Sequence, residues 1–371
     1  MSSNQLNIGI FLPSNNQSGP QKLAALCAND LSRHKYHVHI FIPRLPYFYN
    51  FVVLQKAPLF WLRNYVLHEL ANYLRDRSFV FEELLQPDVV SKNVKLHNVW
   101  RRPTRRHLAG MDYVFVMTIS QVFELQSIFP QEKTIYYLLH PEEIASGHEQ
   151  TIQTARSNFK GKIIALSPWT ARQVSDHVRE STVVPSAVSP LFWENRFKAE
   201  TVERDKDILF HFSLGFNKGG DKGVELIKAL RKVRPNTKVT VWTRDGFPDL
   251  PHAPIEKSVS EGRLRELYLS HKMLLFPSTL EGFGMPPIEG MACGCIPILY
   301  PGVGGADLYA RDGENAILLL DEIKQSAQRI ASLLDDSERM RKMRATISVS
   351  IEPFSPEGYG MRLLEAAGIK D

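Results

Sequence analysis

Apolar residues recur along the chain in two alternating rhythms. Residues 8–12 form a short continuous apolar run. A polar stretch with Gly19 and Pro20 follows, then Leu23, Leu26, Cys27 and Leu31 at spacings of three and four. A second apolar run occupies residues 38–42. Short runs bounded by turn residues read as buried strands, and three-and-four spacing reads as one face of a helix. Strand, loop, helix and strand in this order form a βαβ unit with parallel strands and a right-handed crossover. Further strands are predicted at residues 113–117, 134–139 and 162–166.

The rhythm restarts after residues 181–200, where Pro185, Pro190 and Trp193 surround short apolar pieces and mark a connection. Strands are predicted at 208–212, 238–242, 273–276, 296–299 and 316–319. Helices are predicted at 224–233, 261–269, 286–292 and 323–334. The expected fold class is therefore α/β, with two Rossmann-like doubly wound domains facing each other across a cleft. The first covers residues 1–185 and the second residues 186–350. Residues 47–85 interrupt the alternation with ten aromatic side chains, and 59–74 fit an amphipathic helix. Two readings stand for that helix: packing on the sheet, or meeting a membrane or lipid-linked ligand.

The 371 residues are too many for one ordinary core, and 43% hydrophobic with 23% charged residues is a globular composition. The net charge of +5 argues against a dedicated nucleic-acid binder. Residues 1–185 carry +6 and the remainder −1, so any preference for an anionic partner belongs to the first half. Three cysteines, Cys27, Cys293 and Cys295, give no disulfide framework and no zinc set. A reducing cytoplasm is the expected setting. Residues 1–7 are polar and uncharged and the apolar run after them is short, so no secretory leader is expected. No stretch approaches the roughly 18 uninterrupted apolar residues of a membrane span.

Candidate chemistry concentrates in Ser278-Thr279-Leu280-Glu281-Gly282-Phe283-Gly284-Met285-Pro286-Pro287-Ile288-Glu289, directly after a predicted strand and opening a helix. The glycines allow close backbone approach, proline suits a first helical turn, and a helix N-terminus attracts an anion such as a diphosphate. Carboxylates are two-oxygen acceptors matched to vicinal sugar hydroxyls. Asp205-Lys206-Asp207 reads as a charged strand entry, and His34, His37 and His39 as surface residues without companions for zinc. Arg101, Arg102, Arg105 and Arg106 either dock an anionic group or form a solvated loop.

Glu281 and Glu289 form the E-x7-E pattern of retaining glycosyltransferases of the GT-B fold, and the chain most resembles glycosyltransferase family four. The resemblance extends to Ile163-Ile164-Ala165-Leu166-Ser167, Val183-Val184-Pro185-Ser186-Ala187-Val188, Lys222-Gly223 and Gly304-Gly305-Ala306-Asp307. It continues at Arg311-Asp312-Gly313-Glu314-Asn315-Ala316 and Phe354-Ser355-Pro356-Glu357, and is only an outline before residue 160. It implies a nucleotide-sugar donor, carrying UDP or GDP, as a substrate rather than a resident cofactor. Glu289 then bonds the ribose, Glu281 contacts the donor sugar, and the backbone at Phe283 and Gly284 lines sugar and phosphate. Lys222 neutralises the diphosphate, whose growing charge a fixed cation stabilises. The usual arginine about five residues earlier is Asn217 here, with Lys218 as the substitute cation. His140 faces the donor sugar, and Gly19 belongs to a loop near the diphosphate.

The resemblance also implies retention by front-face attack without a covalent glutamate, no metal, and residues 351–371 crossing back as a helix onto the first domain. Its acceptor is a glycan or lipid-linked glycan, with peripheral contact at the inner face of a membrane and a role in surface polysaccharide assembly. Three rivals stand beside it, of which a DNA-modifying transferase, suggested by the arginine cluster, is disfavoured by the modest overall charge. A nicotinamide-dependent dehydrogenase requires G-x-G-x-x-G after the first strand, and neither half supplies it. A non-catalytic glycosyltransferase-like subunit draws support from Asn217 and from the single glycine at position 19.

Overall fold

The first apolar run becomes β1 (Asn7–Phe11), buried from Ile8 onward, and the helix Gly19–Arg33 returns the chain to β2 (His37–Pro43). This computed structural model describes residues 5–14, 19–44, 81–85, 93–100, 102–140, 149–178, 180–196, 202–215, 217–244 and 246–369. The predicted helix at 59–74 and Arg101 lie outside the described residues. The chain divides into two units. One is Met1–Ala187 with Glu357–Asp371, and the other is Val188–Pro356.

In the first unit β1 and β2 are joined by β3 (Val94–Val99), β4 (Tyr113–Val116), β5 (Thr134–Leu138), β6 (Lys162–Ala165) and β7 (Thr182–Val183). All pairings are parallel, in the order β3-β2-β1-β4-β5-β6-β7. β5 is buried at every position, as a central parallel strand covered on both faces must be. β3 was not anticipated. It is an edge strand whose only buried residue is Val99, so its sequence carries no continuous apolar run.

The helix Tyr359–Ala366 packs on the helix Gly19–Arg33 within this unit. Asp30 fastens it: Oδ1 accepts from the Gly358 N–H at 2.9 Å and Oδ2 from the Met361 N–H at 3.2 Å. The Tyr137 and Tyr359 hydroxyls meet at 2.9 Å. Burial holds both well above ordinary phenol pKa values, so both remain protonated.

The second unit contains β8 (Lys206–Phe212), β9 (Val239–Thr243), β10 (Ile255–Lys257), β11 (His271–Leu275), β12 (Ile296–Leu299) and β13 (Ile317–Leu318). They too are all parallel, in the order β10-β9-β8-β11-β12-β13. Arg204, buried just before β8, donates to the carbonyls of Tyr268 (2.7 Å), Leu269 (2.9 Å), His271 (2.8 Å) and Cys293. It gathers carbonyls at the ends of the helices Glu261–Ser270 and Met285–Ala292, where backbone acceptors lack partners within the helix.

Two readings of charged residues change. Asp207 stands at the entry to β8 as expected, but it is buried there, accepting from Arg234 (2.9 Å), Lys272 (2.8 Å) and the Lys238 N–H (3.0 Å). Burial alone would push its carboxyl up. These donors outweigh it and hold the group below the usual carboxylate range. His39 is half-buried rather than freely exposed. Its Nδ1 lies 2.9 Å from Nε2 of His97, and the two rings stack at 5.1 Å. Burial, then the positive potential of His97, Lys95 and His37, lowers its pKa to about 4. Among the described residues no group of three His, Cys, Asp or Glu is placed to hold a metal ion.

Two measurements follow from these contacts. Asp30→Ala removes both bonds to the returning segment and is expected to cost about 1–2 kcal/mol in urea unfolding. Because the folded pKa of His39 lies below the unfolded value of 6.5, the unfolded chain takes up the proton first. The stability His39 contributes is present above pH 6.5 and lost as pH falls toward 4. His39→Asn should flatten that part of a stability-against-pH curve, and an unchanged slope would refute the assignment.

Candidate functional site

β8 and β11 are neighbours, yet their connections leave to opposite sides, toward β9 and toward β12. At such a switch point the loops beyond the strand ends diverge and leave a crevice for ligand. The loop after β8 carries Asn217, Lys218 and Gly219. The loop after β11 carries residues 276–284.

The two loops are stitched together. Asn217 O accepts from the Thr279 N–H at 2.8 Å, and Asn217 Nδ2 donates to Leu280 O at 3.1 Å. Lys218 Nζ lies 2.5 Å from Glu281 Oε1. The Ser278 hydroxyl is 2.7 Å from that same oxygen and 2.9 Å from Asn217 O. The Glu281 backbone is anchored as well, its N–H donating to Val303 O at 2.7 Å and its carbonyl accepting from the Gly305 N–H at 3.2 Å. Gly219 permits the close approach of the loops. It sits at φ +63°, and a Cβ there would fall 2.0 Å from Pro277 O.

The helix after β8 begins at Gly220, four residues earlier than its apolar pattern predicts. Lys222 is therefore an exposed residue of the first helical turn rather than of a loop, its Nζ 5.3 Å from the Tyr300 ring centroid. The first intrahelical bond is Gly223 N–H to Gly219 O at 3.0 Å. The N–H groups of residues 220–222 thus have no acceptor within the helix and suit an anion. The helix Met285–Ala292 is less generous, because Pro286 and Pro287 supply no N–H. Its dipole remains, and Gly284 at φ +82° turns the chain into it.

Phe283 is a core residue whose ring meets Tyr309 at 5.5 Å and Phe354 at 5.6 Å. Only its backbone belongs to the loop surface. The Tyr309 hydroxyl fastens that backbone, 2.8 Å from Gly284 O and 3.1 Å from Phe283 O. Burial, then the charges of Glu281, Asp307 and Glu289, holds this phenol well above its ordinary pKa, so it stays a donor. Glu289 lies in the second turn of its helix and is 1% exposed. Its charge lies within reach of Tyr268, Cys293 and Tyr309, whose pKa values it helps to raise.

One cluster on the second unit thus unites Lys218, Glu281, Phe283 and Gly284, with Glu289 and Lys222 on the adjoining helices. Gly19 opens the helix after β1, and His140 follows the carboxyl end of β5. Both lie on the first unit. Sequence reasoning placed Ser278 in the candidate stretch without a role, missed Tyr309, which looks like an ordinary loop residue, and noted Asn217 only as a departure. It also missed His211, whose ring lies 4.4 Å from Trp242 and 5.2 Å from Phe276. Burial, then the charges of Lys218 and Arg244, lowers the His211 pKa to about 3, so it is neutral at neutral pH.

Residues 256–348 match the family described as Glycosyl transferases group 1. A D-inositol 3-phosphate glycosyltransferase of Rhodococcus jostii (strain RHA1) is 31% identical over 172 residues, covering 46% of this chain and 35% of that protein. The chain spans between 23% and 35% of the length of the first curated relatives it matches. Among solved structures, Anabaena Alr3699/HepE in complex with UDP-glucose superposes with TM-score 0.65 at 15% identity, covering 96% of this chain and 98% of that one. Sucrose-phosphate synthase from Thermosynechococcus elongatus superposes with TM-score 0.67 at 13% identity, covering 97% and 98%. The fold is GT-B, built from two Rossmann-like domains.

Gly219→Ala places a side chain against Pro277 O and forces a left-handed backbone on alanine. It is expected to lower the stability of the second unit by about 1–3 kcal/mol in urea unfolding. An unchanged midpoint would mean that the two loops do not meet as described.

Proposed function

We propose that the chain is a glycosyltransferase that moves a sugar from a nucleoside diphosphate sugar to a glycan or lipid-linked glycan. The observation that carries this reading is the pair Glu281 and Glu289, flanking a glycine turn at the switch point of the second sheet. Glu281 keeps Oε2 clear of bonds from the described residues and accepts a hydroxyl of the donor sugar there. Glu289 accepts from the ribose hydroxyls. Lys222 and the N–H groups of residues 220–222 meet the diphosphate, where negative charge grows as the sugar departs. The match to Glycosyl transferases group 1 and the UDP-glucose complex of a structural neighbour support a nucleotide-sugar donor, with UDP first among the candidates.

The reaction proceeds with retention, the departing phosphate taking the acceptor proton on the same face. In this reading neither glutamate is a nucleophile. Gly19 and His140 keep the roles the resemblance implies. No described helix is long and apolar enough to cross a membrane. Contact with a lipid-linked acceptor is then peripheral. Two of the arginines considered for it are engaged within the first unit: Arg102 donates to Glu124 O at 3.2 Å and Arg105 to Ser127 O at 3.1 Å.

UDP-, GDP-, ADP- and dTDP-sugars should be tested by thermal shift and calorimetry against wild type and Glu289→Ala. The expected result is selective stabilisation by a UDP-sugar, about 2.7 kcal/mol at a hundredfold excess over Kd. Glu289→Ala should weaken that binding at least about tenfold, or ~1.4 kcal/mol. A wild type stabilised by none of the four would sink the enzyme reading and favour a non-catalytic subunit.

A further inference from the structure

Two lysines stand four residues apart beside the crevice, and the fold uses them differently. Lys222 lies on the exposed start of a helix, against a ring but paired with no carboxylate among the described residues. Lys218 points into the other loop and ends on Glu281 Oε1 at 2.5 Å. Its side chain is 31% exposed and that of Glu281 15%, so the pair is partly withdrawn from water. The residue before it, Asn217, bonds the same turn through both its carbonyl and its side chain. Consecutive residues of the first loop therefore both support the glutamate-bearing turn.

Resting on the donor-site reading above, we propose that Lys218 is a positioning residue for Glu281 and not a ligand of the donor diphosphate. Lys218 and Ser278 converge on one carboxylate oxygen. Two donors on Oε1 fix the rotation of the carboxylate and direct Oε2 outward toward the sugar. Moving the ammonium to the diphosphate would break this bond and free the carboxylate to turn. The diphosphate is left to Lys222 and the first helical turn. Asn217, standing where the resemblance implies an arginine, belongs to the same support. The loop after β8 thus holds the catalytic carboxylate rather than the leaving group.

The test compares Lys218→Met, Lys218→Arg and Lys222→Met in the full chain. UDP and GDP are titrated calorimetrically, and hydrolysis of UDP-glucose gives kcat and KM. Lys218→Met should keep nucleoside diphosphate affinity within about twofold and lower kcat at least about tenfold, with Lys218→Arg recovering part of the loss. Lys222→Met should weaken the same affinity about tenfold or more. Equal loss of nucleoside diphosphate affinity in Lys218→Met and Lys222→Met overturns the proposal.

A double-mutant cycle of Lys218→Met with Glu281→Gln on thermal unfolding needs no donor. The double variant should melt no lower than the worse single variant. Additive losses mean the pair does not form, and the proposal fails. A wild type that binds neither nucleotide while the cycle shows coupling overturns the donor reading alone, leaving Lys218 as the residue that fixes Glu281.

Discussion

The joining of the loops after β8 and β11 is the constraint on which the second unit's chemistry depends. Parallel neighbours whose connections run to opposite sides leave a gap beyond the strand ends. Here side chains and loop backbone close its base. Asn217 bonds Thr279 and Leu280 of the facing turn, and Lys218 and Ser278 share one oxygen of Glu281. Below them Phe283 and Tyr309 seal the turn against the core. A carboxylate held from two sides and a turn held from beneath are preorganised, so little ordering remains when ligand arrives.

Buried charges elsewhere serve the frame rather than the site. Asp207 draws Arg234, Lys272 and a backbone N–H onto one carboxylate at the start of β8. Arg204 collects four carbonyls near the ends of two helices. Breaking either leaves an unpaired buried group, which costs more than the net worth of the bonds. On the first unit, Asp30 and the Tyr137–Tyr359 pair attach a segment that arrives from the far end of the sequence. Such contacts draw on residues hundreds of positions apart, and only a fold that already exists can bring them together.

Much of this was legible in advance where burial imposes a simple pattern. Central parallel strands carry continuous apolar runs because both faces are covered, so β1, β2, β5, β8, β11 and β12 stand out. Edge strands lack that constraint, and β3 and β10 passed unnoticed. The helix after β8 was read as starting at residue 224 because Gly219, Gly220 and Gly223 depress helix propensity. Gly219 and Gly223 are favoured there by the proximity of Pro277 and Phe210, and Gly220 by Ser213 and Phe212, which is a tertiary fact.

The sequence by itself determined the α/β alternation, the division into two doubly wound units and the neighbourhood of Glu281 and Glu289. These follow from local periodicity and from glycine and proline placement, which act over a few residues. Only the tertiary structure decided what each charge does. Lys218 and Lys222 are alike in a string of residues, yet one meets a carboxylate 63 positions away and the other stays at the surface. Asp205 and Asp207 are alike too, and only Asp207 is enclosed by cations. The physical reason is range: periodicity is set by neighbours along the chain, whereas pairing and desolvation are set by neighbours in space.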